Sequence, residues 1–282
     1  MNNNQITIGI VSYKSGDVIF KCLDSIKKTK KIIIFDNSND YILKEKILKK
    51  YPYVKIHLSK KNLGYGNGNN LILKKSTTQF VFIVTPDVIL KKNCEKNLLK
   101  SVKKLKGDFS IISPISNDRN YQDMNKAKLI NDDLYEVDYV KGFAMLVNKK
   151  KIIKAGMFDK NIFLYLEEID LCKRLKNANQ KIFISKSSKV FHSAAKSSNI
   201  GFEYEKCRNW HWMWSKVYFT KKFSNKFFVY AKFLPILFIQ LFKILIYSII
   251  FNQKKKIIYM LRFSGTYNSL IGNKSWYRPI QK

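Results

Sequence analysis

The sequence predicts an α/β protein, a mostly parallel central sheet flanked by helices, followed by an apolar helical extension. Three observations carry this. Short β-branched runs alternate with lysine-rich helical stretches in the first half of the chain; glycines, asparagines and acids gather just after those runs; and the composition turns aromatic, then almost wholly apolar, toward the end. Alternating strand and helix implies parallel strands covered on both faces.

The elements follow in order. ITIGIVSY (6–13), KIIIFDN (31–37), VKIHLS (54–59) and QFVFIVT (79–85) read as buried strands. Between them, 18–27, 42–50 and 69–75 place apolar residues three and four apart, the helical spacing. A second block holds FSIISP (109–114), a polar loop to about residue 134, EVDYVKGFAMLV (136–147) and a short helix near 149–155. NIFLYLEEIDLCKRL (161–175), KIFIS (181–185) and KVFHSAAKSS (189–198) complete it. The predicted division is a domain over 1–205 and an aromatic, amphipathic helical region over 206–282.

Composition narrows the class. The 282 residues are 46% hydrophobic and 14% aromatic, enough apolar surface for a folded core and too much for a disordered chain. With 53 Lys+Arg against 20 Asp+Glu the formal net charge is +33, yet lysines are spread along the whole chain. A nucleic-acid binder would concentrate them in one groove and gives no reason for acids after strands, so that reading is disfavoured. The four cysteines are scattered, with neither disulfide nor zinc spacing, and the apolar run near the N-terminus is too short for a secretory signal; a cytoplasmic protein is expected.

In parallel sheets ligands bind at the carboxyl ends of strands. The residues there are Ser12-Tyr13, Asp36-Asn37, the loop KNLGYGNGNN (61–70) and Thr85-Pro86-Asp87. The glycine loop matches no phosphate-binding fingerprint and by itself reads as a flexible strand-to-helix turn. Asp87, held after a proline, suits a hard divalent ion bound between protein and a diphosphate, or simply a turn opening the next helix. His192 ends a strand-like run and is either structural or a further metal or phosphate contact.

Glu167, Glu168 and Asp170 are the densest acids in a chain with few to spare. Helix chemistry explains part of this: acids begin a helix whose last turn is basic, Asp170 and Arg174 can pair at i,i+4, and Asn179 can take a left-handed cap. It leaves unexplained the aromatic approach FLYL into two adjacent carboxylates. Desolvation there would raise a carboxyl pKa and make a base competent near neutral pH.

Taken in order, these segments resemble the inverting nucleotide-sugar glycosyltransferases of family 2, with the GT-A fold, and especially their bacterial rhamnosyltransferase-like branch. VSYKS resembles the family's first strand and turn, DNSND its Asp-Asn-x-x-Asp, NLGYGNGNN its Asn-Leu-Gly loop ending in Asn, and TPDV its Asn-Pro-Asp-Val. FDKNIFLYLEEIDLCKRL resembles its Phe-Asp-x-x-Phe block through Glu-Asp-x-Asp-Leu-Cys, and KVFHSAAKSS its His followed by Ser. The resemblance runs from Ile6 to about Ser198, with weaker echoes at 208–219 and 263–272.

It implies that Ser12, Tyr13, Asp36, Asn62, Gly64, Asn70 and Asp87 line the nucleotide-sugar site, that Asp87 and His192 hold Mg²⁺ or Mn²⁺, and that Gly142 and Asp170 lie on the acceptor side. Glu168 stands where the catalytic base would be, with Glu167 beside it. Two positions depart from the pattern: Thr85 replaces Asn, and Glu168 replaces Asp. The expected reaction is inverting transfer of a hexose, rhamnose in that branch, to a hydroxyl of a glycan or lipid-linked acceptor in surface polysaccharide synthesis. A non-catalytic nucleotide-sugar-binding relative would keep the same fold.

Residues 227–251 are almost wholly apolar but interrupted by Lys232, Pro235, Gln240 and Lys243. Lysines at a bilayer centre cost about 2.5–3.5 kcal/mol each on insertion scales. Lys232, Gln240, Lys243 and Lys254 fall on one helical arc, so an interfacial helix or shallow hairpin on an anionic membrane, at the inner face of the cell membrane, is favoured over a spanning helix. An apolar helix can also serve a second copy of the chain, which leaves the oligomeric state open.

Overall fold

The computed structural model describes residues 5–27, 31–117, 127–193 and 201–278. Residues 194–198 of the KVFHSAAKSS motif lie outside them. The chain divides into two compact units, one formed by residues 1–159 and 167–199, the other by 160–166 and 200–282.

In the first unit, β1 (Ile6–Ser12), α1 (Val18–Asp24), β2 (Lys31–Asp36), α2 (Tyr41–Lys50), β3 (Lys55–Leu58), α3 (Tyr65–Lys75) and β4 (Phe80–Val84) alternate as the sequence predicts. After them come β5 (Val88–Leu90), α4 (Cys94–Lys104), β6 (Ile111–Ser116), β7 (Lys128–Leu129), β8 (Leu134–Glu136), β9 (Ala144–Asn148), α5 (Lys149–Lys154), α6 (Glu167–Asn177) and β10 (Ile182–His192). The strands form one mixed sheet in the order β3-β2-β1-β4-β9-β6-β10-β8-β7, with β5 beside β10. β1 pairs in parallel with β2 and β4, and β2 with β3. β9 then runs antiparallel between β4 and β6. The sheet is therefore mixed, because β9 enters against its neighbours.

Strand alternation sorts the core into two layers. Ile8, Ile10, Ile32, Ile34 and Phe82 pack on one face with Ile19, Leu43, Ile47 and Leu98 of α1, α2 and α4. Val11, Ile33, Phe35, Val81 and Ile83 pack on the other with Ile72, Leu171 and Leu175 of α3 and α6. Both faces are covered, so the strands read as continuous apolar runs.

Three expectations are corrected. The glycine stretch is helical, since α3 begins at Tyr65. Gly68 is needed there because a Cβ would lie 2.8 Å from Val11 Cγ1 on the sheet. The TPD turn leads first into β5, which pairs antiparallel with β10, and only then into α4. The two runs 181–185 and 189–198 are, where described, one strand β10, with a register shift between Ser185 and Lys189 that let it read as two.

The second unit contains α7 (Gly201–Phe223), α8 (Lys226–Ile249) and α9 (Gln253–Leu270). The 160–166 segment belongs with them: Ser215 Oγ donates to the Leu164 carbonyl at 2.8 Å, and Phe163 packs on the His211 ring at 4.6 Å. Val217, Val229, Phe233 and Leu270 make a small core of their own.

Candidate active site

The carboxyl ends of β1, β2 and β4 set the site. Asp36, last in β2, is buried and fully engaged: Oδ1 accepts from Ser12 Oγ at 2.8 Å and Ser38 Oγ at 2.8 Å, and Oδ2 from the Ser38 and Asp40 amides at 3.1 and 3.0 Å. Asn37 joins this loop to the next, its Nδ2 donating to the Gly64 carbonyl at 3.2 Å while its Oδ1 accepts from the Leu63 amide at 3.0 Å. Asn62 Oδ1 accepts from the Gly64 amide at 2.9 Å, and Gly64 takes φ 82°, a left-handed conformation that favours glycine. Tyr13, half-buried, follows Ser12 at the end of β1. Asn70 is turned away into packing: its amide brackets the Phe158 backbone with bonds of 2.9 and 3.0 Å.

β4 leads through Thr85 and Pro86 to Asp87. The antiparallel register pairs Val84 with Ala144, and the Thr85 amide donates to the Phe143 carbonyl at 2.9 Å, which brings Gly142 to the same edge. Asp87 is buried; its Oδ1 accepts from Thr85 Oγ1 at 2.7 Å and its Oδ2 lies 3.4 Å from His192 Nε2. Burial pushes its carboxyl up, but the contacts from His192 and Thr85 outweigh this and hold it below the usual carboxylate value. The β5–β10 pairing sets His192 opposite Val88, and Phe143 stacks on its ring at 4.3 Å, so the imidazole is fixed from two sides.

The two glutamates open α6. Tyr165 and Leu166 just before it have φ of 69° and 67°, costly for non-glycine residues and typical of functional turns. Glu167 is buried, with Oε2 lacking a partner among the described residues. Its carboxyl is raised well above the ordinary value by desolvation and then by the charge of Glu168. Glu168 is half-buried and also raised by desolvation, partly offset by N–H groups of its own residue, Gly142 and Ile169. Asp170 is fully buried and accepts from Arg174 Nε at 2.8 Å; Arg174 also donates to the Ala155 and Met157 carbonyls. That pair holds α6 in place.

Tyr65, which the sequence reading passed over, stands among these groups. Its hydroxyl donates to the Gly142 carbonyl. Burial lifts its phenol well above the ordinary value, and the charges of Glu167, Glu168 and Asp87 add to that. The available signal was one aromatic hydroxyl in the first turn of a glycine-asparagine helix.

Ser12, Asp36, Asn62, Gly64, Asp87, Gly142, Glu167, Glu168 and His192 thus gather at one end of the sheet, whereas Asn70 and Asp170 serve packing. Among the described residues no three His, Cys, Asp or Glu form a metal cage. A carboxylate and an imidazole on rigid supports nevertheless fit a Mg²⁺ or Mn²⁺ ion that draws its other ligands from phosphate and water.

Comparison with known proteins bears on the family and the fold. The family model described as Glycosyl transferase family 2 matches residues 7–170. The chain is 26% identical over 258 residues to the rhamnosyltransferase WbbL of Escherichia coli (strain K12), spanning 79% of this chain and 96% of that protein. Among solved structures, the mannosyltransferase PcManGT from Pyrobaculum calidifontis, in complex with GDP-Man and Mn²⁺, shares the fold with a TM-score of 0.57 at 10% identity, over 94% of this chain and 87% of that one. GalNAc-T7 with UDP, GalNAc and Mn²⁺ gives a TM-score of 0.57 at 13% identity, over 77% of this chain; the match spans half of the GalNAc-T7 chain.

Proposed function

The chain belongs to glycosyl transferase family 2 and is a nucleotide-sugar-dependent glycosyltransferase, and from that premise we propose that it moves a hexosyl unit, rhamnose first among candidates, to a hydroxyl of a glycan or lipid-linked acceptor with inversion. The strongest support is Glu168. It is a half-buried carboxylate with a raised pKa, steadied by backbone N–H groups, at the same sheet edge as Asp87.

In this reading Glu168 takes the acceptor hydroxyl's proton as the oxygen bonds to the anomeric carbon and the bond to the nucleoside diphosphate breaks on the opposite face. Glu167 is more deeply buried, and its raised pKa disfavours a second negative charge beside Glu168. Asp87 and His192 would hold Mg²⁺ or Mn²⁺, which when bound would offset charge growing on the leaving diphosphate. The Asp36 loop, stiffened by Ser12, Ser38 and Asn37, shapes the nucleotide side. The N-terminal unit is the catalytic domain, and the exposed apolar face of α8 supports work at the inner face of the cell membrane, in surface polysaccharide synthesis.

The test is nucleoside diphosphate release from a panel of nucleotide sugars with Mn²⁺, Mg²⁺ or chelator. One donor should turn over only with metal. Glu168→Gln should keep donor binding and lose turnover, and Asp87→Asn should lose both. Wild-type protein that binds no nucleotide sugar with metal would refute the reading, and binding without turnover on any acceptor extract would move it to a non-catalytic relative.

A further inference from the structure

The C-terminal unit carries a cavity of about 380 Å³. It lies just beyond the turn that joins α8 to α9. Tyr247 and Tyr259 stack at 5.4 Å to form one wall. Lys254, Lys255 and Arg262 line it from α9, and among the described residues Glu205 is its one acidic lining residue. Lys255 Nζ sits 5.3 Å from the centre of the Tyr247 ring, and the Arg262 guanidinium 5.2 Å from that of Tyr259. Lys243 donates to the Tyr259 hydroxyl at 3.0 Å.

The charge of these cations bears on Tyr259. The Tyr259 phenol is shifted below its ordinary value, first by the Lys243 hydrogen bond, against the effect of burial, and then by the charges of Lys243, Arg262 and Lys255. Among the described residues none of Lys243, Lys254, Lys255 and Arg262 is paired with a carboxylate. An anion with several acceptor oxygens would satisfy them.

The surroundings indicate where that anion comes from. Of the polar arc on α8, Gln240 is buried and Lys243 is engaged with Tyr259, while Lys232 stays exposed. The opposite face is apolar and open, with Phe238, Phe242, Leu245 and Ile249 exposed, and the turn ends on Phe251, 84% exposed. One side of α8 packs on protein through Val229 and Phe233, as suits a helix lying in an interface. Lys254 and Lys255, which line the cavity, follow this apolar tip by three and four residues.

We propose that the cavity lined by Lys254, Lys255 and Arg262 binds the phosphate headgroup of an anionic membrane lipid while the exposed face of α8 and the 249–251 turn enter the bilayer surface. This rests on the membrane reading above and adds a dedicated headgroup site to it.

The test is cosedimentation of the full-length protein with vesicles of phosphatidylcholine alone or mixed with phosphatidylglycerol. The wild type should prefer the mixed vesicles. Changing Lys254→Gln and Lys255→Gln together should reduce that preference about fivefold per lysine, and Lys254→Arg with Lys255→Arg should retain it. The charge-matched pair Lys96→Gln and Lys100→Gln on α4 should alter it by less than about twofold. Equal losses from the two glutamine pairs would overturn the headgroup site and leave the membrane reading standing. A wild type indifferent to both vesicles overturns both. Inorganic phosphate that shields Lys254 and Lys255 from acylation, with no vesicle preference, would assign the cavity to a free anion and overturn the lipid.

Discussion

The Tyr65 hydroxyl donates to the Gly142 carbonyl, and the Gly142 Cα lies against the Glu168 side chain, so one residue links the first turn of α3 to the proposed base. Tyr65→Phe removes a hydrogen bond worth about 1 kcal/mol and frees Gly142 to shift against Glu168. Turnover should fall about five- to tenfold with donor KM nearly unchanged, and the acid limb of the pH profile should move. An unaltered pH profile with a uniformly weaker donor KM would show that Tyr65 acts on binding instead.

Glu168→Gln removes the base itself. The expected loss is about 10²–10⁴ in kcat, the range for a positioned general base. In the wild type the acid limb of kcat/KM should lie above the ordinary carboxyl value of 4.5, because desolvation raises the Glu168 pKa. An acid limb at or below that value would exclude Glu168 as the ionising group.

Glu167 gives a stability prediction with a definite sign. Its folded pKa is raised, so its favourable contribution is complete below the unfolded value, near 4.5, and is lost as pH rises through the folded value. Glu167→Gln removes that loss. Thermal midpoints of the two proteins should therefore coincide at low pH, and the variant should melt progressively higher above it. Parallel melting curves across pH would contradict the burial of an ionising Glu167.

Thr85 stands where the family pattern has Asn, and its hydroxyl holds Asp87 Oδ1 at 2.7 Å. Thr85→Val deletes that bond while keeping the shape. Metal affinity, read by Mn²⁺ titration in the presence of nucleoside diphosphate, should drop about 10- to 100-fold, as when a ligand loses its supporting hydrogen bond. Thr85→Asn should restore most of it.

Gly68 packs against β1, where an added Cβ would come within 2.8 Å of Val11 Cγ1 and 2.9 Å of Cγ2. Gly68→Ala should destabilise by about 1–3 kcal/mol through overpacking, despite the better helix propensity of alanine. A variant as stable as the wild type on denaturant titration would mean that α3 can move off the sheet freely.

The elements legible in the sequence are those whose cause is local. β1, β2 and β4 are continuous apolar runs because both faces of the sheet are covered. α6 carries its acids first and its bases last, pairs Asp170 with Arg174 four residues on, and is followed by Asn179 at φ 54°. The places of Asp87, His192 and Glu168 beside strand and helix ends were legible through motif order, which sets residues relative to strands without saying what touches them.

By itself the sequence determined the alternation of strand and helix, the crowding of acids and glycines at strand ends, and an apolar stretch with little charge, since each follows from spacing along the chain. Only the tertiary structure decided that β5 meets β10 and so sets His192 against Asp87, that Tyr65 bonds a carbonyl 77 residues away, and that Gln240 of α8 is buried. Such contacts depend on strand register and on which helix face finds a partner. Both are set by packing between segments distant in sequence, where local periodicity carries no information.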